Sequence, residues 1–171
     1  MRIFIFALIV LLNFIISTTW LQSIAVLGVV PNTTLIIVVC YALLRGDLEG
    51  AIIGFCAGLV YDLMFGQVVG ISAVLLMLTG FFAGKPFRDF FKDNYLAPLL
   101  LIAAASIAYE TAFYITNFLL FGRTDFFRYF GIIILPTAAY NLVVGIFFYR
   151  AIYGINSLLE KKETRKRGLM K

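Results

Sequence analysis

Residues 3–44, IFIFALIVLLNFIISTTWLQSIAVLGVVPNTTLIIVVCYALL, contain no charged side chain. A helix crossing the hydrocarbon core of a bilayer takes about 20 residues, so this run of 42 reads as two spans. The first covers about Ile3 to Ser23, and the second ends at Arg45. Between them lies Val30-Pro31-Asn32-Thr33-Thr34. Proline has no backbone N–H to donate, and an Asn or Thr directly after it can cap a new helix. A helix from Asn32 to Leu44 is about 20 Å long, short of a core of about 30 Å. The second element therefore reads as a short helix entered by an extended segment, with a longer helix kinked at Pro31 as the alternative. A cleavable signal peptide fits poorly, because the stretch is too long and no small-x-small site follows it.

The rest of the 171-residue chain has the same character: 63% hydrophobic and 13% charged, with a mean hydropathy of +1.01. A soluble domain carries about 25% charged residues. This composition excludes a soluble enzyme, a disordered chain and a disulfide scaffold. It points to an all-α integral membrane protein with a single polytopic domain over residues 1–171. There is no histidine, which removes the usual general base and the commonest metal ligand. Cys40 and Cys56 sit singly in apolar runs and read as packing residues. No metal site, cofactor or catalytic residue is expected.

Polar turns divide the remainder. Arg45-Gly46-Asp47-Leu48-Glu49-Gly50 precedes a third span, about 50–65. Gly66 to Gly70 precedes a fourth, about 71–83. A charged connection, Lys85 to Asn94, leads to a fifth span, about 96–120. Phe121 to Arg128 leads to a sixth, about 129–153, and a basic tail follows over 154–171. Six spans, about 3–23, 32–44, 50–65, 71–83, 96–120 and 129–153, place both termini on one side. With the odd connections outside, twelve of the fourteen Lys and Arg lie inside. The positive-inside rule then gives an inner membrane protein with N-in, C-in topology.

The sharpest pattern lies in the third span. Gly46, Gly50, Gly54, Gly58, Asp62, Gly66 and Gly70 recur every four residues. Small residues at this spacing make a smooth helix face, which lets another backbone approach closely in lipid. The face Gly50, Gly54, Gly58 and Asp62 is either a packing groove within the bundle or a docking surface for a partner's helix. Asp62 and Glu110 are acids within apolar spans, about 20 Å and about 22 Å from the inner boundary at 1.5 Å per residue and so toward the outer leaflet. Intramembrane acids are costly and usually face a bundle interior or a cavity. With Pro31, Asn32 and Asn141 they are candidates for a buried polar cluster or the lining of a cavity. Hydrogen-bonded structural pins, a small-molecule or headgroup cavity and a proton path all fit this pattern. Ser106, Glu110, Tyr114 and Asn117 share one face, and Asn13 adds a polar group in the first span.

Phe87, Phe90 and Phe91 oppose Arg88, Asp89, Lys92 and Asp93 in the charged connection, a pattern suited to a short interfacial helix. The tail holds six Lys or Arg after residue 159. Each contributes about 1 kcal/mol near anionic lipid, so the tail is expected to bind anionic membrane lipids. Its charge is too local for a nucleic-acid-binding face.

Pro31-Asn32-Thr33, Tyr41 to Gly46, the run Gly50-x3-Gly54-Phe55-x2-Gly58-Leu59-x2-Asp62, and Gly66 to Gly70 resemble the rod shape-determining protein MreD family. Residues 31–84 carry the resemblance. Beyond Lys85 it rests on hydropathy and length. Relatives often have Asp after the proline, where this chain has Asn32. The resemblance implies a non-enzymatic scaffold of the bacterial cell-elongation machinery. Such a scaffold binds MreC and is linked through it to MreB, RodA and RodA's partner transpeptidase. It also implies a fold like that of the substrate-binding components of energy-coupling-factor transporters. The alternative function is then a substrate-binding subunit of a vitamin transporter.

Overall fold

A computed structural model describes residues 9, 12–15, 17, 29–66, 68–85, 96–121 and 126–168. The regular elements among them are helical. They are α1 (Thr33–Arg45), α2 (Asp47–Phe65), α3 (Ile71–Gly84), α4 (Leu96–Phe121), α5 (Phe126–Tyr129), a π-helical turn (Phe130–Ile134) and α6 (Leu135–Gly168). Residues 9, 12–15 and 17 are also helical. The amphipathic segment from Phe87 to Asp93 lies outside the described residues.

Three segments are long and apolar enough to cross a membrane: Asp47–Phe65, Pro98–Thr116 and Phe126–Gly154. Two shorter apolar helices, Thr33–Arg45 and Ile71–Gly84, accompany them. The short helix expected after Pro31 is α1. Asn32 is its N-cap, with Oδ1 accepting from Leu35 N–H at 3.1 Å. Residues 30–32 are not helical, and Asn32 has non-helical dihedrals.

The α1 helix is the core of the molecule. Every residue from Leu35 to Leu43 is at most 1% exposed. It touches α2, α3, α4 and α6. A helix apolar on all sides suits such a central position. It ends at Gly46, whose φ of +100° is a backbone conformation that favours glycine. The tight turn sends α2 back beside α1. At this turn Glu49 Oε2 accepts from Tyr41 O–H at 2.8 Å and from Arg45 Nε at 3.2 Å.

The largest interface joins α2 to α3, and the glycine stripe makes it. A methyl group on Gly58 would lie 2.5 Å from Ala73 Cα. One on Gly54 would collide with the Leu76 carbonyl, and one on Gly50 would lie 2.8 Å from the Gly80 oxygen. Gly80 and Gly84 of α3 return the contact against Gly50 and Asp47. Hydrophobic drive between helices is absent in lipid, so close backbone packing of this kind holds a hairpin together. Of the two readings of the Gly50, Gly54 and Gly58 face, a packing groove or a docking surface, the structure shows α3 of the same chain lying against it.

The sixth expected span begins irregularly. Pro136 cannot donate a bond to the carbonyl four residues back, and its ring crowds that position. The preceding turn widens to a π-helix, in which Leu135 N–H bonds to Phe130 O. Such a bulge is a common way of absorbing an irregularity in a long helix. Beyond it α6 runs without a break through Gly168, so residues 154–168, read as a tail, continue that helix.

Candidate functional site

Two short helices begin in the same neighbourhood, and each N-terminus has a carboxylate near it. The first turn of a helix leaves N–H groups without intrahelical partners. In a membrane interior water cannot satisfy them. Asp62, near the end of α2 and 2% exposed, satisfies those of α3. Its Oδ2 accepts from Gly70 N–H at 2.9 Å and Ala73 N–H at 3.1 Å, and its Oδ1 from Ser72 N–H at 3.3 Å. Gly70 reaches this geometry at a φ of +109°. The partial positive charge at the helix start also favours the carboxylate there.

At the start of α1 the arrangement has several parts. Asn32 N–H donates to Asn141 Oδ1 of α6 at 2.8 Å. Asn141 Nδ2 donates to Ser106 Oγ of α4 at 2.9 Å. Ser106 donates in turn to Ile102 O at 2.8 Å. Asn141 and Ser106 are fully buried, so this chain of bonds fixes α1 against both helices. The Asn32 side chain lies near the Glu110 carboxyl. From the helical residues before α1, Asn13 Nδ2 donates to Thr34 Oγ1 at 3.2 Å, and the Phe14 ring packs against Phe65 with centroids 5.3 Å apart. The hydroxyl of the adjacent Thr33 is buried and has no hydrogen-bond partner.

The two acids share a neighbourhood. Tyr61 and Tyr109 both lie within electrostatic reach of Asp62 and of Glu110. Tyr109 also faces Ser72, at the start of α3. The structure thus brings together Asn32, Asp62, Glu110 and Asn141, with the buried Pro31 beside Asn32. Gly50, Gly54 and Gly58 run away from this cluster along the α2–α3 seam. Asp62, assigned to that same face, is the point at which seam and cluster meet.

Tyr61, Tyr109 and Ser72 were not singled out from sequence. The dipeptides Tyr61-Asp62 and Tyr109-Glu110 are a signal that could have found the two tyrosines. Ser72 had none, since its role depends on α3 folding back onto α2. Among the described residues no group of three or more His, Cys, Asp or Glu could hold a metal ion. Chemically, the cluster can satisfy helix ends inside an apolar bundle and can present one half-buried carboxylate, Glu110.

A family model described as rod shape-determining protein MreD matches residues 1–158. The chain belongs to the MreD family. The match runs well past residues 31–84, where the sequence resemblance was concentrated. Neither the curated proteins nor the solved structures give a match. Membership in the MreD family gives the chain a role in rod shape determination. The family is a shape-determining structural component and not a known enzyme family. With its apolar helices, this MreD-family chain is a membrane protein.

Proposed function

We propose that the chain is a non-enzymatic, six-span scaffold of the bacterial cell-elongation machinery. In this reading it lies in the cytoplasmic membrane with both termini inside, binds MreC and helps direct side-wall peptidoglycan synthesis. Through MreC it is linked to MreB filaments, to RodA and to RodA's partner transpeptidase, while the basic end of α6 meets anionic lipid. The observation that carries this reading is the family match over residues 1–158.

Two features support a scaffold over a catalyst. The acid Asp62 is engaged by three backbone donors, so it holds a helix start rather than a reacting group. The Asn32–Asn141–Ser106 relay likewise ends on the chain's own backbone. The architecture we infer is that of the substrate-binding components of energy-coupling-factor transporters, six helices with α1 buried among the other five. With the glycine seam closed by α3, the partner-binding surface is assigned to the outward faces of the bundle.

Depletion in a rod-shaped bacterium tests the reading. Cells should round up, and affinity-tagged full-length chain should capture MreC from solubilised membranes. Normal rods after depletion, or no MreC in the captured fraction, would sink it.

A further inference from the structure

We propose that the start of α1 binds one buried water molecule, held by the hydroxyl of Thr33 and the backbone N–H of Thr34. The inference goes beyond the scaffold reading and does not depend on it.

The start of α1 is enclosed and polar. Thr33, the first residue of the helix, is 3% exposed. Among the described residues its hydroxyl is the one buried side-chain oxygen or nitrogen with no hydrogen-bond partner. Each Cα–Cβ bond in a helix tilts toward the N-terminal end, so the side chain of this first residue projects over the helix start. The polar groups beside it in sequence are met from within the chain. Asn32 N–H donates to Asn141 Oδ1, and Asn13 Nδ2 donates to Thr34 Oγ1. Thr33 N–H goes to Pro31 O, Leu35 N–H to Asn32 Oδ1 and Ile36 N–H to Asn32 O. Among the described residues Thr34 N–H is left without a partner. An unmet donor and an unmet hydroxyl thus belong to adjacent residues at one helix start.

Two such groups inside an apolar bundle call for a third molecule. A buried polar group left unpaired carries its full desolvation penalty. In membrane helices ordered water is one of the means by which backbone groups near a proline are met, and Pro31 stands directly before this helix start. Charge selects the ligand. The partial positive charge of the helix start disfavours a cation. The Glu110 carboxyl near Asn32 disfavours an anion, and the polar side chains that meet at this end, Asn13, Asn32, Ser106 and Asn141, are neutral. A neutral molecule that both donates and accepts is required. Enclosure of Thr33 limits it to a small one, and water bridging otherwise unmet groups is the usual buried molecule of this kind.

The test uses the purified full-length chain. In a crystal structure that resolves ordered water, one peak should lie within hydrogen-bond distance of both Thr33 Oγ1 and Thr34 N. Thr33→Val keeps the shape of the side chain and removes the hydroxyl. The peak should then be lost, and the thermal midpoint should fall by about 2–4 °C, the shift expected for one lost hydrogen bond in a chain of this size. If nothing binds there, valine removes an unpaired hydroxyl and the midpoint rises instead. An unchanged or raised midpoint overturns the inference. So does a wild-type structure with no peak at that position, or with density for a molecule larger than water. Should Thr33→Val fail to fold, the wild-type density still decides. None of these outcomes bears on the capture of MreC.

Discussion

Asp62 shows how one side chain can decide the position of a whole helix. Its carboxylate receives N–H groups from three residues across the turn, so α3 must start where Asp62 ends α2. Removing a side-chain cap typically costs about 1 kcal/mol, and hydrogen bonds to a charged group contribute about 1.5–3 kcal/mol. Asp62→Ala is therefore expected to destabilise the detergent-solubilised protein by about 2 kcal/mol or more, read as a lowered midpoint in chemical unfolding. Asp62→Asn keeps one acceptor oxygen and should lose about half as much. An unchanged midpoint for Asp62→Ala would show that the cap does not hold the hairpin. Asn141 acts at the same scale on a different helix. Asn141→Ala leaves the Asn32 N–H without its acceptor, at a cost of about 1–3 kcal/mol. It should also free α1 from α6, which accelerated hydrogen exchange at residues 32–36 would report.

At the scale of elements, the α2–α3 hairpin is set by the absence of side chains. A side chain on Gly54 meets the Leu76 backbone, which cannot move aside as a flexible side chain could. Gly54→Leu is therefore expected to separate the two helices and leave no folded protein in gel filtration. Gly154 of α6 has open space around its Cα. Gly154→Ala should be neutral or stabilising by about 0.5–1 kcal/mol, the usual gain from removing a glycine within a helix. A stable, monodisperse Gly54→Leu protein would refute the packing role of the seam. The glycine spacing was legible in sequence, but its neighbour was not. The same four-residue repeat serves a groove facing its own chain or a foreign one, and only the fold-back of α3 selects between them.

For the whole molecule, the central place of α1 ties the bundle together. A helix of 13 residues is too short to cross alone, and its start within the bundle leaves N–H groups that must be met internally. Asn32 provides the local cap, and Asn141 and Ser106, more than 70 residues away in sequence, complete the arrangement. The proposed topology makes a prediction at this scale. Alkaline phosphatase fused after Val69 should be active, because that turn is placed outside. A fusion after Lys85 should be inactive, and green fluorescent protein at the C-terminus should fluoresce. An active fusion after Lys85 would reject the N-in, C-in arrangement.

Much of this could be read from the chain alone. The charge-free run at residues 3–44 set the membrane class, because lipid tolerates few charges whatever the fold. Pro31-Asn32 marked the start of α1, because a missing N–H and a capping amide act locally. Asp62, Glu110 and Asn141 stood out, because polar groups in apolar spans need partners. The identity of those partners was a tertiary matter. Asp62 meets the start of α3, Asn141 bridges α1 to α4, and the glycine face closes on α3. Each of these contacts joins separate helices, and local pattern holds no record of which helices become neighbours.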